Sequence, residues 1–440
     1  MKRVLVIAYY FPPLGGGGTQ RTLKFVRYLP EFGWQPHLLT VRQAHHLVQD
    51  ESLLPEIPRD LPITATSAML PARFLRKTTG HRPGMAREGG KPWLRLLAWL
   101  KNLAFTCAFI PDEYAGWVPA AVAAGRRLLQ QDDYALIYST GPPNSTHVIA
   151  WQLSRRTGVP WVADLRDLWD QYPDSYNPWR WRWRAKLDDW LERKVLGGAT
   201  HLVAVSEEMH RHLLQKRVAA RPEKITVITN GFDPADFAAL PPPAHSHCFT
   251  VVHSGTLFPW RSIRPFLAAW QRLPQPELLR LELLGIVPES DCRVIQASGL
   301  AAQIERKEYL PYRETLRHLI NADALLLLIG RQPHAANVLT SKLFDYIGAQ
   351  RPILALGPAG AARQLIETEN LGVVLAEEDT PAIAAVLADW LKQKSLGRLH
   401  GGAGAYTKYH RRELTAQLVG VFDSCTLVPH NPAANLPASI

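Results

Sequence analysis

The sequence predicts an α/β chain of two domains, each built on a parallel sheet. Three observations carry this expectation. An apolar run, RVLVIAYY, is followed by four glycines, a helical pattern and a second strand-like run, HLLTV, which together make a βαβ unit. The alternation of strand and helix continues to about residue 233, breaks in the proline-rich stretch DPADFAALPPPAHSH, and then restarts. At 440 residues the chain is also too long for one ordinary core.

Each element has its own reason. Lys2 to Tyr9 is apolar and β-branched and reads as a buried first strand. The run is short, ends in Phe-Pro-Pro and lacks a small-residue cleavage pattern, so it is not read as a signal peptide. After the glycines, Leu23, Val26 and either Phe25 or Leu29 recur at helical spacing, and His37 to Val41 is the next strand. From about residue 50 to 90 there is little period and much proline. Trp93 to Ile110 regains a helical pattern, interrupted by Arg95 and Lys101. Tyr134 to Thr140 reads as a strand and GPPNSTHVIAWQLSRRTG as its following helix. Pro160 to Asp170 holds another strand and its exit loop, a Trp/Arg-rich segment follows, and His201 to Ser206 and Ile225 to Asp233 give two more strands. Beyond the linker, FTVVHSG, LRLELLG, IERKEYL, ALLLLIG, PILALG and GVVLA alternate with helical segments. The boundaries are a first domain over 1–235, a linker over 236–247, a second domain over 248–400, a helix near Arg411 to Phe422 within 401–425, and a disordered tail over 426–440.

Composition narrows the function classes. Hydrophobic residues make up 47 % and charged residues 20 %, a globular balance, and the net charge of +11 favours anionic partners. Cys107, Cys248, Cys292 and Cys425 form no CxxC pair, which points away from a zinc site or a disulfide framework and toward a reducing compartment. No uncharged stretch reaches the roughly 18 residues a bilayer span needs. Arg73, Arg76, Lys77, Arg82, Arg87, Lys91, Arg95 and Lys101 face only Glu88, so the 73–110 region reads either as a basic amphipathic surface for an anionic membrane or as an ordinary helix beside a solvated loop. The basic runs lack a nucleic-acid motif with interleaved aromatics.

The chemistry-bearing stretches follow strand ends, where open α/β sheets carry ligands. FPPLGGGGTQR is neither the dinucleotide fingerprint, which needs glycine where Gln20 stands, nor a P-loop, which needs GK[ST]. It is a strand, a glycine turn and a helix N-terminus, suited to an anion or to a tight packed turn. Asp164, Arg166 and Asp167 in ADLRDLWD suit acceptor positioning or base chemistry, or a structural ion pair. His147 in STGPPNSTHVIA is a cleft candidate or a packed helical histidine. In HSGTLFPWRS, Gly255 permits close backbone approach and Arg261 suits a diphosphate. Thr340 and Ser341 cap a helix whose first turn carries Lys342, a second anion seat, and Asp345 one turn on suits ribose hydroxyls. No DxD, HEXXH or GxSxG motif is present.

Taken in order, YYFPPLGGGGTQRTLKFVRYLPEFGW, PDEYAGWVPAA, STGPPNSTH, PWVADLRDLWD, VSEEM, TNGFD, HSGTLFPWRS, ADALLLL and SKLFDYIGAQRPILAL resemble a bacterial branch of glycosyltransferase family 4, over roughly Met1 to Leu391. The resemblance implies a GT-B fold of two Rossmann-like domains facing across a cleft, and a retaining, metal-independent enzyme with no cofactor. It implies a nucleotide-sugar donor on the second domain, an acceptor on the first, and a last helix that crosses back. Gly16 and Gly17 match the loop that approaches the donor phosphates, and Gly18 adjoins it. Arg166 stands near the cleft histidine of better-known members. Arg261 matches, within one position, a diphosphate-binding basic residue, while Thr256 stands where an arginine is expected after Gly255. Asn337 and Asp345 occupy the two glutamate positions of an E-x(7)-E pattern, with Lys342 as the compensating phosphate contact. The resulting expectation is a cytoplasmic-face enzyme making an envelope or extracellular polysaccharide, peripheral to the membrane, on a lipid-linked or saccharide acceptor. Gly16, Gly17, Arg166 and Asp167 are the catalytic candidates. Gly17, Gly18, Gly255, Arg261, Asn337, Thr340, Ser341, Lys342 and Asp345 hold the donor, and Asp164 and His147 lie on the acceptor side. A sugar-nucleotide epimerase and an inactive GT-B scaffold subunit are the alternatives.

Overall fold

The computed structural model describes residues 1–42, 49–68, 110–170, 181–218, 221–243, 248–258, 260–330, 339–402 and 406–427, with Leu100, Leu103, Cys107, Ala336 and Gly404 between them. Asn337, the tail from 428 onward and nearly all of the basic 73–110 stretch fall outside the described residues.

The first sheet has seven strands, β1 (Lys2–Ala8), β2 (Trp34–Val41), β3 (Ile63–Thr66), β4 (Leu136–Gly141), β5 (Trp161–Leu165), β6 (His201–Ala204) and β7 (Ile225–Val227), in the order β3-β2-β1-β4-β5-β6-β7. The second has six, β8 (Phe249–Ser254), β9 (Leu279–Leu284), β10 (Ile304–Lys307), β11 (Ala324–Leu328), β12 (Ile353–Leu356) and β13 (Gly372–Leu375), in the order β10-β9-β8-β11-β12-β13. All pairings between these strands are parallel, with Val6 opposite Leu38 on one side of β1 and opposite Tyr138 on the other.

Parallel strands covered on both faces must be apolar throughout, and β1 shows it. Val4, Val6 and Ala8 pack on one side with Leu23, Phe25 and Val26, while Leu5 and Ile7 pack on the other with Ile137 and Trp161. The second sheet has its own two layers, one around Leu343, Phe344 and Ile347, the other around Phe266, Leu267 and Trp270. Six helices matter below: α1 (Gly17–Tyr28), α2 (Ser145–Thr157), α3 (Arg182–Gly197), α4 (Tyr312–Asn321), α5 (Ser341–Ala349) and α6 (Arg411–Leu427). Although α6 follows the second domain, it returns to the first. Its Phe422 meets Trp34 and Tyr138 edge-on at 5.2 and 5.6 Å.

Several elements differ from what periodicity predicts. β3 is a half-exposed edge strand inside the stretch that reads as structureless. Helices over Val118–Gln131 and Glu207–Gln215 are present, and the linker opens with a short helix, Pro234–Ala238, capped by the Asp233 carboxylate.

The chain passes between the domains twice, and the two passages pair. Phe232 N donates to Tyr409 O at 3.0 Å and Arg411 N donates to Phe232 O at 2.9 Å. Away from this seam, Asp50 of the first domain reaches the second. Its Oδ2 accepts from Tyr312 N at 2.7 Å and Tyr309 Oη at 3.2 Å, which caps α4 with a carboxylate from the other domain.

Candidate active site

Strand order reverses between β1 and β4 in the first sheet and between β8 and β11 in the second, and such switch points open crevices at the carboxyl ends of strands. The glycine loop leaves β1, and Arg166 donates from Nε to Gly141 O at 3.1 Å at the end of β4. Gly255 leaves β8, and Arg261 donates from Nε to Ile329 O at 3.3 Å just past β11. The glycine loop and Arg166 therefore stand at one switch point, and Gly255 and Arg261 at the other.

The glycines serve two purposes. Gly16 has φ +102°, a conformation open to glycine, and its carbonyl begins α1 by accepting from Thr19 N at 3.0 Å. Gly17, Gly18 and Gly255 supply room. A methyl group on Gly17 would lie 2.0 Å from Ser341 Oγ, one on Gly18 1.8 Å from Arg166 Nη1, and one on Gly255 2.0 Å from Lys342 Nζ. The first residue of α1 thus lies against the first residue of α5 across the domain boundary. Two positive helix ends meet there, and the arrangement favours an anion between them.

The charges add to this. Thr340 caps α5, its Oγ1 accepting from Lys342 N at 3.1 Å. Burial, helped by Arg261, pulls the Lys342 ammonium down to about 7. Burial pushes Asp345 up to about 7, against the pull of the Tyr312 hydroxyl, which donates to its Oδ1 at 2.8 Å. Asp167 is half-buried and raised by burial, with Arg166 opposing, and none of the described residues hydrogen-bonds its carboxylate.

Asp164 and His147 are placed differently from the acceptor-side expectation. Asp164 lies within β5, fully buried, and its carboxylate accepts from Arg21 Nε and Nη2 at 2.9 and 2.8 Å, from Tyr138 Oη at 2.7 Å and from Thr140 Oγ1 at 2.9 Å. Those bonds occupy the group inside the domain. His147 is sealed in α2, its Nδ1 within 2.8 Å of Ser139 Oγ and its Nε2 packed toward Gly141. Burial drops it to about 3, so the ring is neutral. Both hold the cleft wall from behind.

Other residues enter the site unannounced by spacing. Arg166 lies over the Tyr10 ring at 5.8 Å, and Tyr10 and Tyr114 share a 3.2 Å hydroxyl contact. Tyr10 directly precedes the glycine loop, so it was within reach of sequence reasoning. Tyr312 and Arg411 come from distant elements. Arg411 is 3 % exposed, its Nη1 has no hydrogen-bond partner, and burial draws it down to about 10. The amide of buried Gln20 is likewise unpartnered. Among the described residues no cluster of three or more His, Cys, Asp or Glu suits a metal ion.

Two Rossmann-like domains with facing switch points define the GT-B class of fold, and comparisons agree. Over 96 % of this chain, sucrose-phosphate synthase from Thermosynechococcus elongatus superposes with a TM-score of 0.64 at 14 % identity, covering 99 % of that chain. Anabaena Alr3699/HepE in complex with UDP and glucose gives 0.63 at 15 % identity, with 96 % and 100 % covered. WaaG, a glycosyltransferase involved in lipopolysaccharide biosynthesis, gives 0.54 at 14 %, with 96 % and 98 % covered. No curated protein matches in sequence. Residues 16–231 match the family described as glycosyl transferase 4-like domain. The first domain thus carries a stretch like a glycosyl transferase 4-like domain, and the chain is a sugar-transferring enzyme.

Proposed function

We propose that the chain moves a sugar from a nucleoside-diphosphate sugar to an envelope or exopolysaccharide acceptor carried on a lipid, retaining anomeric configuration and using no metal. The carrying observation is the meeting of the α1 and α5 N-termini at Gly17 and Ser341, with Lys342 and Arg261 beside them. This excess of positive groups suits a departing diphosphate, and fixed donors aimed at developing charge are strong catalysts. The UDP and UDP-glucose held by the Anabaena relative support a donor of this class. Asp345 would accept from ribose hydroxyls. Arg166 and Asp167 would position the acceptor hydroxyl, whose oxygen replaces the diphosphate oxygen at the anomeric carbon. The basic charges of 73–101 support a peripheral contact with the inner face of the cell membrane. No helix among the described residues is long and apolar enough to cross a membrane.

Calorimetry with UDP, GDP and ADP tests the donor seat. One of them binds, and Arg261→Ala and Lys342→Ala each weaken it at least tenfold. Absence of binding by all three at millimolar concentration would overturn the reading. Unchanged turnover in EDTA checks metal independence, and complete loss that Mg²⁺ restores would refute it.

A further inference from the structure

Helix α3 buries charges alongside its apolar residues: Val195 and Leu196 join the core, and so do an arginine and two acids. A surface helix ordinarily turns apolar residues inward and charges outward. Here Arg184, Asp188 and Glu192, spaced four apart, are buried, while Trp183 and Trp190 stand 45 % and 50 % exposed. Each buried charge is paired through at least one atom, although Asp188 Oδ1 and Glu192 Oε1 have no hydrogen-bond partner among the described residues. Arg184 Nε donates to Asp188 Oδ2 at 2.8 Å and its Nη2 to Pro111 O at 2.8 Å, and Glu192 pairs with Lys216 from another helix. Solvent therefore meets Arg182, Trp183, Lys186, Trp190, Arg193 and Lys194, a face with no acid among its exposed residues. The half-exposed Asp189 is turned to Lys216, its Oδ1 3.4 Å from Nζ. The tryptophans are also braced. Trp181 stacks on Trp183 at 5.8 Å, and the Lys194 ammonium sits over the Trp190 ring at 4.4 Å.

Exposed tryptophans forfeit burial that the same helix spends on charges, so the outward face has an occupant that rewards both indole and cation. The bilayer interface does so: indole settles at headgroup depth, and anionic headgroups attract lysine and arginine. A protein partner would also reward indoles and cations, and vesicle binding separates it from a lipid surface. We infer that α3 is a membrane-docking face that seats the first domain on an anionic lipid surface. The face is separate in sequence from the 73–101 charges, and it stands without any assumption about the donor.

The test uses the full chain and sedimentation with vesicles of phosphatidylcholine, with and without 30 mol% phosphatidylglycerol, an amount on the order of a strongly anionic leaflet. The wild type binds the anionic vesicles and loses binding as salt rises. Trp183→Ala/Trp190→Ala lowers the partition coefficient at least fivefold while melting temperature and nucleotide binding stay unchanged. Lys186→Glu/Arg193→Glu lowers it similarly, whereas charge reversal within 73–101 leaves the tryptophan dependence in place. The inference falls if the tryptophan variant binds like wild type, if wild type ignores anionic vesicles, or if the face instead mediates a dimer that the variant dissolves.

Discussion

Gly18 matters through the atom it lacks. Its position in the first turn of α1 accepts alanine without backbone strain, and alanine is the better helix former by up to about 1 kcal/mol. A methyl group there would nonetheless occupy the space of the Arg166 guanidinium. Gly18→Ala should leave the melting temperature within about 2 °C of wild type and lower kcat/KM at least tenfold. Lys342 and Asp345 set a pH dependence of opposite limbs. Above pH 7 the empty site increasingly holds a neutral Lys342, so an anionic donor must bring a proton with it and binds more weakly as pH rises. Below pH 7 Asp345 is increasingly protonated and loses the negative charge that strengthens hydrogen bonds from ribose hydroxyls. Donor affinity should therefore peak near pH 7. Lys342→Met should flatten the alkaline limb alone, and calorimetry in buffers of different ionisation enthalpy counts the protons. The same scale explains why Asp164 and His147 mislead. A polar residue at a strand end looks alike in sequence whether it lines a cleft or locks a core; Asp164 is told apart by Arg21, 143 positions away, and His147 by Ser139.

Elements were legible in proportion to how apolar they are. β1, β4, β8, β11 and β12 stand out because both faces are covered and nearly every residue is buried. β3 hides because it is a sheet edge with no fully buried residue, and Val118–Gln131 hides because it buries only Ala121, Val122 and Gly125. α5 was readable in detail, since its cap, lysine and aspartate are local signals. For α6 the resemblance gives the return to the first domain but not the side chains it meets, because the sequence near Arg411 says nothing of β1, β2 or β4. Phe422 is fully buried in that contact, so Phe422→Ala should destabilise the first domain by about 3–5 kcal/mol in urea unfolding, although the residue follows the second domain in the chain.

At the scale of the whole molecule, among the described residues, the domains meet at the paired passages of Phe232 and Arg411, at the Gly17–Ser341 contact and at the Asp50 cap on α4. The cap is linked to the donor seat, since the capped residue, Tyr312, gives its hydroxyl to Asp345. Asp50→Ala should weaken nucleotide affinity about fivefold and enlarge the radius of gyration in solution, with Tyr312→Phe reproducing the affinity loss but not the expansion. None of this was visible beforehand, because Asp50 and Tyr312 lie 262 positions apart. The paired passages carry one further consequence. Two strands of chain fastened side by side make an axle, not a tether. A swing of the domains about that line would part Gly17 from Ser341 and Asp50 from Tyr312, and the reverse swing would rejoin them in the same register.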